Sequence, residues 1–347
     1  MNDISIRTAQ GYFRTYYETN GTFGIRDIPK REMAFSLFGR GGMIRHTSFK
    51  NFEELREYVL KNPPQHFYYS SAYYGMPDAE MENKIWLGAD LVFDIDGDHI
   101  EGADRMSYSE MLLKVKEELR KLLVILKDDL DVKDENIEIV FSGSRGYHAH
   151  VYSIFEALES QERREIVDYI TGKCLSPEYT LFGRTKWEQR IERIRESLLE
   201  ISKTGGRKWK EKLAEETGVH DQIPDKKDKK FNEYIDSMSR KLAMERFASK
   251  IDEPVTIDVH RLIRTPGSLH GKSGLMVKII DPSSLENFDP LSECIPKVFM
   301  DETEVNILKG TEVEFFGEKR KLSEGRQKIP VYSALFTVLR GNAEFVG

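Results

Sequence analysis

Cysteine is nearly missing from this chain: its 347 residues hold two, Cys174 and Cys294. Two thiols can build neither a disulfide scaffold nor a four-cysteine zinc site, and they suit a reducing cytosol. Long apolar runs are missing too. No stretch approaches the roughly 18 residues that a membrane-spanning helix needs, and the opening MNDISIRTAQGYF lacks the basic-then-apolar order of a secretory signal. These absences predict a cytoplasmic chain with no membrane span. There is no excess of positive charge either, since the formal net charge is −7. The overall field therefore does not gather nucleic acid. A local basic groove is still compatible with it, because residues 161–250 are net positive, chiefly through KTGGRKWKEK (203–212) and DKKDKKF (225–231).

Charged residues make up 32% of the chain and hydrophobic ones 39%, a balance that predicts a large wet surface over an ordinary core. Residues 34–48 read as two short strands around the Gly39–Gly42 turn, and NFEELREYVLKN (51–62) has the apolar spacing of a helix. QHFYYSSAYY (65–74) and GADLVFDI (88–95) each read as one strand. SYSEMLLKVKEELRKLLVILKDDL (107–130) is a sustained amphipathic helix. NIEIVFSGSRGYHAHVYS (136–153) is a hairpin around a glycine turn. From 157 to 250 the pattern is helical and charge-rich, and after 254 short strands return, as in GLMVKII (274–280) and TEVEFFG (311–317). The simplest account is an α/β (α+β) core with a mixed or antiparallel sheet, formed by 1–156 and 251–347, interrupted by a helical insertion at 157–250. The apolar end, VYSALFTVLRGNAEFV, docks on that core and carries no assigned chemistry.

Three stretches carry candidate chemistry. In LVFDIDGD (91–98), strand alternation turns Asp94 and Asp96 to one side and Ile95 to the other, with Cα atoms about 6.5 Å apart. Carboxylates that close repel, and a divalent cation held by oxygen ligands, Mg²⁺ or Mn²⁺, would relieve them. Asp-Gly-Asp is also ordinary turn chemistry, so these residues alone leave metal site and turn as alternatives. In FSGSRGYHAHV (141–151), Ser142, Ser144, Arg145 and His148 cluster about a tight turn and offer the donors and permanent charge a triphosphate requires. In VTIDVHRLIRTPGSLHGKSG (255–274), Asp258 is a candidate third carboxylate, and His260, Arg261, Arg264, His270 and Lys272 follow it within fourteen positions. Surface ion pairing is the plain alternative there.

VFDIDGD also resembles the first motif of the haloacid-dehalogenase phosphatases, but Asp98 stands where that family has Thr or Val, and some 90 residues precede the motif. A glycosyltransferase with a metal-binding Asp-x-Asp leaves the hairpin and Asp258 unexplained. In order, the three stretches resemble the archaeo-eukaryotic primase superfamily, specifically the small catalytic subunit of DNA primase. Asp94 and Asp96 match its first motif. Ser142, Arg145 and His148 match its second, Asp258 the acid of its third, and Arg264, His270 and Lys272 its downstream elements. REMAFSLFGRGGMIRHTSF resembles an N-terminal element that brings a Glu and an Arg near the nucleotide, here Glu32 and Arg45. The likeness spans about residues 10–290. It departs twice: Ser144 replaces the first of two paired arginines, and GDHIEGADRMSYSE has no cysteine where many relatives carry a zinc knuckle, so no structural zinc is expected.

The resemblance implies two-metal nucleotidyl transfer, with Asp94, Asp96 and Asp258 holding Mg²⁺ or Mn²⁺. Ser142, Arg145, His148, Arg264, His270 and Lys272 would then take the triphosphate and sugar of an NTP or dNTP. It also implies a single-stranded DNA template and a heterodimer with the primase large subunit. The insertion's aromatics Tyr179, Phe182, Trp187 and Trp209 could stack on template bases, although packing in the insertion's own core is the better reading. Two rivals remain: a gap-filling repair polymerase of the same superfamily, and a nucleotide- or nucleic-acid-binding subunit without catalysis.

Overall fold

The computed structural model describes residues 1–19, 21–175, 185–221 and 223–346. The chain forms two compact units. One comprises Met1–Leu119, Val132–Arg164 and Ile251–Gly347, and the other Arg120–Asp131 and Glu165–Lys250.

Two four-stranded sheets organise the first unit. One runs in the order Ile44–Thr47, Met33–Leu37, Pro64–Ser70, Leu262–Arg264, and the other Lys278–Ile280, Ile137–Phe141, Gly146–Val151, Leu91–Asp96. Every pairing among the described strands is antiparallel. That arrangement argues against the phosphatase reading, whose motif ends a strand of a parallel sheet. Aromatic rings fill the space between the first sheet and its helices: Phe35 stacks on Phe67 with centroids 4.7 Å apart, and Phe13 of helix Asp3–Thr19 meets Phe38 edge-on at 4.9 Å. Helix Phe52–Lys61 starts at Asn51, whose side chain accepts from the Glu54 N–H at 2.9 Å, and the Glu54 carboxylate accepts in turn from the Lys50 N–H.

Two expected single strands are each broken in two. QHFYYSSAYY forms Pro64–Ser70 and Ala72–Tyr74, and GADLVFDI forms Trp86–Ala89 and Leu91–Asp96. The breaks fall at Ser71 and Asp90, and one buried residue accounts for both. Arg31, fully buried, donates from Nη1 to the carbonyls of Ser70 (3.0 Å) and Ser71 (2.6 Å) and from Nη2 to the equally buried Asp90 carboxylate at 2.6 Å. The Asp90 N–H donates to the Ser71 carbonyl, and Tyr73 donates its hydroxyl to Asp90 at 2.6 Å. Buried Arg163 takes the Ala89 and Asp90 carbonyls at 2.7 and 3.0 Å. Backbone groups that leave the ladders are thereby satisfied.

The long amphipathic helix runs Tyr108–Val124 and continues as a π turn, Ile125–Asp129. Of GLMVKII only Lys278–Ile280 is strand, whereas TEVEFFG gives Thr311–Phe315. In the second unit the described elements are helical. Trp187 is fully buried and donates to the Tyr169 carbonyl at 3.0 Å, and Trp209 meets Phe231 edge-on at 5.7 Å. Trp187 therefore serves that unit's core, Trp209 is half-buried against Phe231, and Tyr179 and Phe182 lie outside the described residues. Among the described residues no helix is long and apolar enough to cross a membrane.

Arg31 gives the first prediction. Arg31→Met strands a buried carboxylate and should cost about 3–5 kcal/mol in urea unfolding. Adding Asp90→Leu should recover part of that loss, because the pair then disappears together. An Arg31→Met chain as stable as wild type would count against this reading of the pair.

Candidate active site

Strand Leu91–Asp96 alternates as the sequence predicts. Phe93 and Ile95 are fully buried on one face, and Asp94 and Asp96 on the other are only partly covered. Val92, which shares their face, is capped by Val255 and Ile263, so that face is apolar at its start and opens only at the acids. The neighbouring strand pairs His148 with Asp94 and Gly146 with Asp96. Antiparallel partners share a face, which brings the imidazole beside the carboxylate, with Nε2 3.7 Å from Asp94 Oδ1. Gly146 must be glycine here, since a Cβ would lie 2.5 Å from the Ile95 carbonyl oxygen.

The turn of this hairpin is held by a segment far along the chain. Ser273 donates its hydroxyl to the Gly143 carbonyl at 2.5 Å, and Gly143, at φ 81°, leaves no room for a Cβ beside His270. These contacts close a cavity of about 500 Å³. Asp94 and Asp96 line one part of it, and Ser142, Arg145, His148, Arg264, His270 and Lys272 line others. Eight of the eleven residues that the family resemblance points to thus face one space.

The other three do not line it. Glu32 is fully buried and accepts from Arg45 Nε at 3.0 Å and from the His46 N–H at 3.0 Å, with Lys84 Nζ at 3.4 Å. Burial alone would raise this carboxyl, but the His46 N–H, Arg45 and Lys84 together hold it below the usual range. Glu32 and Arg45 therefore act as an internal ion-pair hub. Asp258, expected on a strand, instead caps the C-terminal end of the short helix Glu253–Ile257, is exposed, and accepts from the His260 N–H at 2.9 Å.

The acid beside Asp94 is Asp252, at the other end of that helix. Its N–H donates to the Asp94 carbonyl at 2.7 Å, and its carboxylate makes no cap bond. Asp-Glu-Pro is a helix-start signature, and a helix across 253–257 separates 252 from 258 by about 9 Å. That signal in the sequence could have directed attention to Asp252.

Charge is crowded within the cavity. Burial, then Asp96, then Asp252 push the Asp94 carboxyl up to about 7, against the pull of Arg261 and Arg264. Its side chain keeps 23% of its surface open, and that opening faces the cavity. Arg145 reaches Asp98 at 2.5 Å and Asp96 at 3.7 Å. Arg264 lies over the Tyr68 ring, meets the Tyr68 hydroxyl at 3.1 Å and the His66 Nδ1 at 2.8 Å, and burial lowers its pKa. Burial holds His148 neutral, with its pKa lowered to about 3, and pushes His270 well below its ordinary value. The Lys272 N–H donates to His270 Nδ1 at 3.2 Å. A neutral His270 therefore carries its proton on Nε2.

A sequence model of the DNA primase small subunit family matches residues 93–282. The DNA primase small subunit PriS of Picrophilus torridus is 39% identical across 96% of both chains. The chain belongs to the DNA primase small subunit family. Primase small subunits from Thermoplasma volcanium (39% identical, 96% of each chain) and Methanosarcina acetivorans (35%, 99% of this chain and 98% of that one) agree. In this primase chain four further residues line the cavity without having been singled out from sequence: His66, Tyr68, Tyr108 and Arg340. Ser144, the second hydroxyl of the hairpin turn, lines it as well, and Arg340 comes from the C-terminal stretch.

Crowded acids should weaken the fold they serve. Above pH 7 Asp94 is ionised at the expense of stability, and the penalty is relieved as pH falls from its folded value near 7 toward its ordinary value. Asp94→Asn should therefore raise Tm by on the order of a few degrees at pH 8 without added metal. The gain should shrink below pH 5. Equal melting of the two proteins at pH 8 would contradict the electrostatic account.

Proposed function

We propose that this chain is the catalytic subunit of a primase, making short primers on single-stranded DNA by nucleotidyl transfer from NTPs or dNTPs. The observation that carries the reading is one cavity with Asp94 and Asp96 on one side and Arg145, Arg264, Lys272, His270 and Ser142 around the rest. In the reaction a 3′-hydroxyl attacks the α-phosphorus, the bond to the β-phosphate oxygen breaks, and pyrophosphate leaves with its electron pair.

The residues fit divalent metal through their chemistry. Asp94 and Asp96 are hard oxygen donors crowded until one of them resists ionisation, and a cation relieves that. Among the described residues no three His, Cys, Asp or Glu side chains converge into a closed cage. This suits Mg²⁺ or Mn²⁺, which take one or two carboxylates and complete their shell with substrate phosphates. Asp94 and Asp96 would hold the metal, with Asp252 rather than Asp258 as the nearest supporting acid. When bound, such ions neutralise phosphate charge and activate the attacking oxygen.

The chain's own side chains position the nucleotide. Arg145, Arg264 and Lys272 supply permanent positive charge to the triphosphate, and the Ser142 hydroxyl and His270 Nε2–H supply neutral donors. His148 is neutral at working pH, so it orients by hydrogen bonding and does not balance charge. A primase must also hold an initiating nucleotide where a polymerase holds a primer end, and the proposed larger partner subunit assists there. Basic residues of 203–231 are candidates for salt-sensitive contact with template phosphates.

The test is primer synthesis on single-stranded DNA with labelled nucleotides and Mg²⁺ or Mn²⁺, in the presence of the large subunit. Wild type should give template-dependent products, and Asp96→Asn should lose activity by about 10³-fold. Undiminished synthesis by Asp96→Asn would defeat the assignment. Asp258→Asn should retain far more activity than Asp252→Asn.

A further inference from the structure

Every residue of helix Val331–Val338 except Tyr332 is buried, and the turn that follows ends in Gly341 at φ 79°. This turn projects Arg340 into the cavity described above. Its guanidinium lies 3.6 Å from the Phe336 ring centroid and 4.6 Å from that of Tyr108. Two aromatic faces fix the plane of a side chain that otherwise has about four free torsions. Tyr108 is itself fixed, since its hydroxyl donates to the Ser144 carbonyl at 2.5 Å.

No carboxylate answers this cation. Among the described residues Arg340 forms no ion pair, and the polar group it meets is the Tyr108 hydroxyl. Its charged neighbour is another cation, Arg145, and burial with that repulsion lowers its pKa. Arg340 is nonetheless solvent-accessible, and the cavity is what it lines. An arginine that served only to cap its helix would be spent on the helix's last carbonyls. A pre-oriented, unpaired guanidinium facing an open space with Arg145 and Lys272 is what a multiply charged oxyanion requires.

We propose that Arg340 binds the β- or γ-phosphate of the incoming nucleotide, so that the C-terminal turn is part of the substrate site. The end of the triphosphate is chosen by position. Arg145 leans toward Asp96, where the α-phosphate reacts, whereas Arg340 is anchored through Tyr108 to the hairpin turn and no acid of the reaction centre pairs with it. Arg145 is the one Lys or Arg of the hairpin 136–153, and Arg340 adds a second cation on that side from a distant segment.

The inference rests on the nucleotidyl-transfer reading, and nucleotide binding separates the two. Dissociation constants for an NTP and the matching NMP are measured on the full chain for wild type, Arg340→Gln and Arg340→Lys. Wild type should prefer the triphosphate. Arg340→Gln should weaken NTP binding by about 10–100-fold and leave NMP binding unchanged, the loss of one charge-assisted contact. Arg340→Lys should recover part of it. Unchanged NMP affinity also certifies that the variant is folded. In primer extension the nucleotide KM should rise in parallel. An Arg340→Gln chain that still prefers NTP as strongly as wild type would overturn the role of Arg340 alone. A wild type that binds neither nucleotide would overturn the underlying reading with it.

Discussion

The buried Arg31–Asp90 pair is the constraint on which the site depends. Asp90 immediately precedes the strand that carries Asp94 and Asp96, and Arg31 grips it together with the two carbonyls where the other sheet's strand ends. Removing two charges from water is costly, and the geometry offsets that cost only because Tyr73, Ser71 and Arg163 saturate the remaining groups. What the pair contributes is registration. It fixes where strand Leu91–Asp96 begins, and strand alternation then determines which way each acid points.

From that start the cavity is an arrangement of unmet charge. One side gathers carboxylates until Asp94 resists ionisation. Other elements gather Arg145, Arg264, Lys272 and Arg340 with few counter-ions of their own. Buried imidazoles remain neutral between them. Each excess is unfavourable alone, and the proposed metal-bound polyphosphate would answer both at once, with cations facing the acids and anions facing the arginines. Such preorganisation places the electrostatic cost in folding and spares the chemical step.

Local patterns made part of this site legible. The period-two run ending in Asp94 and Asp96, and the glycine turn bearing Ser142, Arg145 and His148, are motifs whose geometry follows from the strand and hairpin that hold them. Arg264, His270 and Lys272 were readable because they lie close together in sequence. The alternation in VTID imitates a strand, whereas Pro254 starts a helix that leaves Asp258 outside the lining of the cavity. Glu32 and Arg45 satisfy each other, and no periodicity reveals that pairing. His66 and Tyr68, Tyr108, and Arg340 reach the cavity from three separate segments, and only tertiary structure brings them together. Likewise, both strand breaks were invisible because their cause, Arg31, lies about 40 to 60 residues away.

Strand Leu91–Asp96 is the edge of its sheet, and its outer side receives the Asp252 N–H from roughly 160 residues further along the chain. Closing so long a loop is entropically slow, and it comes after local hairpins have formed. The hairpin Ile137–Phe141/Gly146–Val151 can assemble early and take Leu91–Asp96 as its next strand, but the open edge of that strand waits for 252–264 to arrive. During synthesis the chain therefore carries an uncovered, partly apolar strand edge for much of its emergence, a surface suited to mispairing. Competence for chemistry and protection from aggregation are acquired in one late event.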